Sequence, residues 1–135
     1  MTTPQKKLVL YVEDEIIQAK IFSQIIENEV SLKGYKVIVF NNGSELIDLI
    51  NDKHPTYKIS QFNVILLDLS MHDISGFDML KQIKSKQVLA PVAVLTAHED
   101  ESMKNQAIIL GAKDYFVKGK DIDELTRLKN FICEF

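Results

Sequence analysis

Four branched apolar residues, Val64-Ile65-Leu66-Leu67, run without a polar break and end on a carboxylate, Asp68. A short apolar run bounded by polar and turn residues predicts a strand buried on both faces. Such a strand needs cover on each side, which points to layered α/β architecture. In open parallel sheets, sites form just beyond the carboxyl ends of the strands. Asp68 stands at such an end and is therefore a candidate chemical centre.

The same arrangement recurs along the chain. Leu8–Val12 predicts a first strand, ending in Glu13-Asp14-Glu15. A helix follows over roughly Glu15–Val30, with Ile17, Ile21, Ile25 and Phe22, Ile26, Val30 at four-residue spacing as its apolar face. The acids at its start suit the positive end of the helix dipole, and Glu15 reads as a dipole partner only. Tyr35–Phe40 predicts a second strand, and Asn41–Ser44 turn the chain and offer a helix cap. Leu46, Ile47, Leu49 and Ile50 face inward on a short helix. Residues 51–61 form a long polar connection, and part of it could prolong that helix toward Pro55. After Asp68 come the loop Leu69–Ser75, Gly76 and a helix carrying Phe77, Leu80 and Ile83. Pro91–Leu95 predicts a fourth strand, ending at Thr96. A helix over about Glu99–Leu110 is closed by Gly111. Tyr115–Val117 predicts a fifth strand, ending at Lys118, and Asp121 caps a last helix with Ile122, Leu125, Leu128 and Ile132 inward. Residues 1–6 are polar and expected to be flexible.

Five strands alternating with five helices predict a doubly wound parallel sheet; right-handed crossovers leave few topologies, and the flavodoxin-like order 2-1-3-4-5 is the one expected. That order brings Glu13 and Asp14 beside Asp68, with Thr96 and Lys118 on the same edge. Three carboxylates in one crevice raise each other's pKa unless a cation joins them. An all-oxygen donor set suits Mg²⁺. An amine and a hydroxyl beside it suit a phosphoryl group, and a carboxylate can itself be the nucleophile, forming an aspartyl phosphate. The site reads as a phosphoryl-acceptor pocket centred on Asp68.

Composition narrows the class. With 46% hydrophobic and 26% charged residues, 135 residues suffice for one packed domain. The net charge of −3 gives no bulk case for nucleic acid or a membrane surface as a direct partner. The single cysteine, Cys133, cannot form an internal disulfide, which fits a reducing, cytoplasmic setting. The spacing of His72 and His98 matches no metal-binding motif.

Taken together, Val12-Glu13-Asp14-Glu15, Leu66-Leu67-Asp68-Leu69 with Met71, Gly76 eight residues after Asp68, Leu95-Thr96-Ala97, Gly111-Ala112 and Tyr115-Phe116-Val117-Lys118 resemble the receiver domain of two-component response regulators. The resemblance covers about residues 6–135. It implies that Asp68 accepts a phosphoryl group from a sensor histidine kinase or a histidine phosphotransfer protein. It implies Asp14 as a direct Mg²⁺ ligand, Glu13 as an acid acting through water, and the backbone carbonyl of Ser70 as a further ligand. Thr96 and Lys118 would contact the phosphoryl oxygens, and Tyr115 would be a switch aromatic that follows Thr96. The fourth helix, fifth strand and fifth helix would form a face for a homodimer or a downstream protein. Residues 1–135 are expected to be a single receiver domain without an output domain, and a regulated relay element more than an enzyme.

Two departures stand out. Gly119 follows Lys118 where the family usually has proline, and His72 stands where many members have proline. Ser70 and His98 occupy positions that in this family influence phosphate lifetime. Two competing readings are a constitutive protein-binding module on the same fold and a metal-dependent phosphatase with an aspartyl intermediate. The complete acid–Asp–Thr–Lys set argues against the first. Ser70, where such phosphatases usually carry a second acid, argues against the other.

Overall fold

The structure is a computed structural model and describes residues 5–135. The expectation of a flexible start concerns mainly residues outside that range; Gln5 and Lys6 stand exposed ahead of the first strand. Strands β1 (Lys7–Val12), β2 (Tyr35–Phe40), β3 (Phe62–Leu67), β4 (Val92–Thr96) and β5 (Asp114–Val117) form one parallel sheet in the order β2-β1-β3-β4-β5. Helices α1 (Ile16–Val30), α2 (Gly43–Ile50), α3 (Gly76–Ser85), α4 (Glu101–Ile109) and α5 (Ile122–Ile132) alternate with them. This is the expected flavodoxin-like fold.

Successive strand side chains point to opposite faces, so each apolar run feeds two cores. Leu10, Val12, Ile65, Leu67 and Val94 pack under Leu46, Leu49, Met79, Leu80 and Ala107 of α2, α3 and α4. Val9, Tyr11, Val64, Leu66, Ala93, Leu95 and Phe116 pack under Ile26, Val30, Leu128 and Ile132 of α1 and α5. This explains why β3 needs an unbroken apolar sequence: neither face meets water.

Register then sets the functional edge. Val12 lies opposite Phe40 and Leu67, Leu67 opposite Val94, and Thr96 opposite Val117. The next residues are therefore neighbours, and backbone bonds hold them there. Glu13 N–H donates to Phe40 O at 2.9 Å, Asp68 N–H to Val12 O at 3.2 Å, and Lys118 N–H to Thr96 O at 2.7 Å.

Several details differ from the sequence expectation. In α1 the buried residues are Ala19, Ile26 and Val30, whereas Ile17 and Ile21 are 69% and 49% exposed. At about 100° per residue, Ile17 and Ile21 lie across the helix from that stripe; the small Ala19 marks the true inner face. Ile122, the first residue of α5, is likewise exposed, off the Leu128–Ile132 stripe. Helix α4 starts two residues later than expected, because the Asp100 side chain caps it by accepting from Met103 N–H. Helix α2 stops at Ile50 without extending toward Pro55, and Asp52 takes a left-handed conformation with φ of 60°. The long connection after it is anchored by His54. This ring stacks on Phe40 at 4.8 Å, contacts Glu45 through Nε2 at 3.0 Å, and accepts from the N–H groups of Thr56 and Tyr57 at Nδ1.

Candidate functional site

The site begins with Lys118, whose side chain is 2% exposed although it carries an ammonium. Burying such a charge is tolerable only with partners. Its Nζ donates to Glu13 Oε1, to Asp68 Oδ2 at 2.9 Å and to Gln18 Oε1 at 2.8 Å. The rings of Phe22 and Tyr11 lie 5.6 and 6.0 Å away and complete the cage. Nothing in the sequence singles out Gln18; its place in the first turn of α1, within reach of Lys118 just beyond β5, gives it this role.

Glu13 is the most engaged of the acids. Besides Lys118, it accepts from Tyr11 Oη at 3.2 Å and from Glu15 N–H at 3.2 Å. The last bond caps α1, since Glu15 itself makes no side-chain cap. Burial raises the Glu13 pKa; Lys118 opposes this, and the adjacent Asp68 adds to the rise. Burial and the facing carboxylates of Glu13 and Asp68 raise the Tyr11 hydroxyl too, so it stays a neutral donor.

Asp68 is also buried. Burial alone would raise its pKa, but Lys118 and the Ser70 N–H, which donates to Oδ1 at 2.9 Å, outweigh it and hold the carboxyl below the usual range. Two neighbouring carboxyls are thus driven apart: Glu13 takes a proton more readily and Asp68 stays ionised. An ionised carboxylate is what a nucleophile at this position requires.

Asp14 lies on the rim. Its Oδ2 accepts from His72 N–H at 2.8 Å and contacts His72 Nδ1 at 2.6 Å. The hydrogen bond and charge of Asp14 raise the His72 pKa. The structure therefore joins Glu13, Asp68 and Lys118 in one network and pairs Asp14 with the β3–α3 loop. Among the described residues, no three His, Cys, Asp or Glu side chains are gathered tightly enough to hold a metal ion.

On the other side, Thr96 is buried and its Oγ1 accepts from His98 N–H at 3.4 Å. The Tyr115 ring is turned inward, 4% exposed, and its hydroxyl donates to the His98 carbonyl at 2.7 Å. Both bonds fall on His98 in the loop after β4: its N–H meets the hydroxyl and its carbonyl meets the aromatic. Arg127 steadies the backbone of β5: it donates to Asp114 Oδ2 and to the Tyr115 carbonyl, both at 2.8 Å, and stacks on Phe116 at 4.1 Å. Beyond Lys118, no described peptide bond is cis, and Gly119 has φ of +67°, where glycine is favoured.

Gly76, at the start of α3, and Asp73, in the loop before it, fix the segment that follows Asp68. A Cβ on Gly76 would stand 2.4 Å from Leu69 Cα and 2.9 Å from the Asp68 carbonyl, so only glycine lets α3 start this close. Asp73 was not anticipated. Its carboxylate accepts from Gly43 and Ser44 N–H at 3.0 Å each, at the start of α2. Burial works against its ionised form, but these bonds and that from Ile74 prevail and lower its pKa. An aspartate at the mouth of another helix carries no local sequence signature, because its partners are thirty residues away.

A family model described as the response regulator receiver domain matches residues 9–129. The DNA-binding transcriptional regulator NtrC of Klebsiella pneumoniae is 34% identical over 104 residues, which are 77% of this chain and 21% of that protein. The transcriptional regulatory protein CrdR of Helicobacter pylori (strain ATCC 700392 / 26695) is 31% identical over 129 residues, 94% of this chain and 55% of that protein. The chain thus spans between about a fifth and about half of these relatives. Among solved structures, the receiver domain of the Francisella response regulator 1452 superposes with a TM-score of 0.71 at 27% identity, covering 96% of this chain and 98% of that one.

Proposed function

The chain belongs to the response regulator receiver domain family of two-component signalling, and we propose that within it Asp68 is the phosphoryl acceptor and Thr96, Lys118 and Tyr115 are the parts that read its state. The observation that carries this is the buried Lys118 ammonium 2.9 Å from an Asp68 carboxylate held below the usual pKa range. Asp68 attacks the phosphorus of a phosphohistidine on a sensor kinase or phosphotransfer protein. The P–N bond breaks, its electron pair returns to the ring nitrogen, and the donor's imidazole leaves neutral, keeping the proton already carried on its other ring nitrogen. The Lys118 ammonium, already against Asp68, neutralises a phosphoryl oxygen. Thr96 Oγ1, held only by a long bond to His98 N–H, is free to turn toward the phosphoryl group. Its movement loosens the loop that Tyr115 holds through the His98 carbonyl, and the ring follows as a population shift. Hydrolysis of the aspartyl phosphate returns the chain to its starting state.

A divalent cation fits this site by donor chemistry: Asp14, Glu13, Asp68 and the Ser70 carbonyl offer only oxygen, the set Mg²⁺ takes. When bound, Mg²⁺ supplies charge neutralisation for the phosphoryl oxygens. Of these donors, Glu13 and Asp68 share the Lys118 ammonium, and Asp14 holds His72 through one carboxylate oxygen, Oδ2. The face of α4, β5 and α5 is the reading surface for a downstream protein or a second copy. Ile108 and Ile109 are exposed on α4, and Tyr115 lies in β5 beside it.

The test is incubation with acetyl phosphate and Mg²⁺, followed by mass spectrometry. The wild type is expected to gain one phosphoryl group and Asp68→Asn none. Equal gain on both, or none on the wild type, overturns the assignment.

A further inference from the structure

The Asp14–His72 pair lies outside the buried network, yet it holds one of the proposed cation ligands. One oxygen, Asp14 Oδ2, accepts twice from a single residue: His72 N–H at 2.8 Å and the imidazole at Nδ1, 2.6 Å away. A carboxylate oxygen is only an acceptor, so Nδ1 carries the hydrogen. The Asp14 side chain is 14% exposed, whereas that of His72 is 94% exposed. His72 therefore contributes nothing to the core, and its one specific side-chain contact is with Asp14. Inner-sphere binding of a cation by Asp14 needs the lone pairs of its oxygens. The two donors from His72 hold one of those oxygens toward the β3–α3 loop.

We propose that His72 is a latch on the cation site: it competes with Mg²⁺ for Asp14 and sets the threshold of divalent cation at which the acceptor pocket assembles. His72 is a positioning residue here. It acts through Asp14 and touches neither Asp68 nor Lys118. The inference rests on the reading of Asp14 as a cation ligand. It also assigns a consequence to the residue type at position 72. The backbone N–H is available because the residue is not proline, and the second donor because it is histidine.

The latch predicts an order of affinities. Removing the imidazole leaves the backbone N–H alone on Asp14, so His72→Ala should bind Mg²⁺ more tightly, roughly three- to tenfold, about 0.7–1.4 kcal/mol. His72→Asn, whose amide nitrogen offers a donor at about the place of Nδ1, should return toward wild type. Because the side chain is exposed, neither change threatens folding. The experiment is Mg²⁺ titration of the unphosphorylated chain by calorimetry, with Asp14 and Asp68 followed by carboxyl NMR. Tighter binding in His72→Ala with recovery in His72→Asn establishes the latch. Equal affinity in all three chains overturns it while leaving Asp14 a ligand. Weaker binding in His72→Ala also overturns it and makes the imidazole a ligand. Mg²⁺ binding unaffected by Asp14→Asn, or absent from every chain, removes the ligand reading itself and the latch with it.

Discussion

Lys118 Nζ and Asp68 Oδ2 lie 2.9 Å apart at the ends of β5 and β3, with the lysine 2% and the aspartate 7% exposed in their side chains. Neither charge has water to fall back on. The pair, with Glu13, is the electrostatic keystone of the sheet's carboxyl edge. Removing one member of a buried pair strands the other, which typically costs about 3–5 kcal/mol. Lys118→Met is therefore expected to destabilise the metal-free chain by about 3 kcal/mol, read from urea unfolding. Combining it with Glu13→Gln should recover part of the loss, since the two contacts are coupled. A loss under about 1 kcal/mol would show that the carboxylates find other relief.

The two acids should titrate apart. Carboxyl NMR is expected to place Asp68 below the ordinary aspartate range and Glu13 above the ordinary glutamate range. The consequences for stability have opposite signs. Asp68 contributes stability that is present above its unfolded value and is lost as pH falls through its folded value. Glu13 binds its proton more tightly in the fold, so stability drops as pH rises from the ordinary glutamate value through its raised one. Glu13→Gln should flatten the stability curve in that second window, and an unchanged curve would contradict the assignment.

Gly76→Ala tests the packing that fixes the acceptor loop. The added carbon would overlap backbone of Leu69 and Asp68, and backbone cannot move aside as a side-chain tip can. Overpacking of this kind typically costs about 1–3 kcal/mol. Thermal unfolding should show a loss of that order, and the amide signals of residues 68–76 should shift together. Native-like stability would mean that the start of α3 can retreat.

Asp73→Ala removes the acceptor for two N–H groups at the head of α2. Lost caps cost about 1 kcal/mol, and the exposure of this residue argues for no more. The Asp73 pKa is lowered in the fold, so its contribution exists above the unfolded value and fades as pH falls through the folded one. The variant should match the wild type in acid and fall below it near neutrality, as denaturant curves at both conditions would show.

Tyr115→Phe keeps the ring and deletes the bond to the His98 carbonyl. A loss of about 1 kcal/mol is expected, together with faster amide exchange in residues 97–100. Unchanged exchange there would separate the aromatic from the loop it is proposed to report on.

The elements were legible because burial leaves a periodic mark. An unbroken apolar run such as Val64–Leu67 has one reading when both faces of its strand are covered, and five such runs between helices leave few topologies. The candidate residues were legible as well, since Glu13, Asp14, Asp68, Thr96 and Lys118 each follow or end a run, and parallel strands deliver their ends to one edge. The face of α1 is not legible in the same way, because Ile17 and Ile21 advertise burial that the smaller Ala19 actually has.

By itself, the sequence determined the strands, the helices between them and the side chains that end each strand, because those follow from periodicity; crossover handedness left few strand orders, and the resemblance to receiver domains singled out one. Tertiary structure alone decided how those side chains divide their bonds. Glu13 goes to Lys118 and Tyr11, Asp14 to His72, and Asp73 to the head of α2. Each choice sets a donor from one part of the chain against an acceptor from another. Such a competition is settled by distances of a few tenths of an ångström, and no local pattern of residues encodes them.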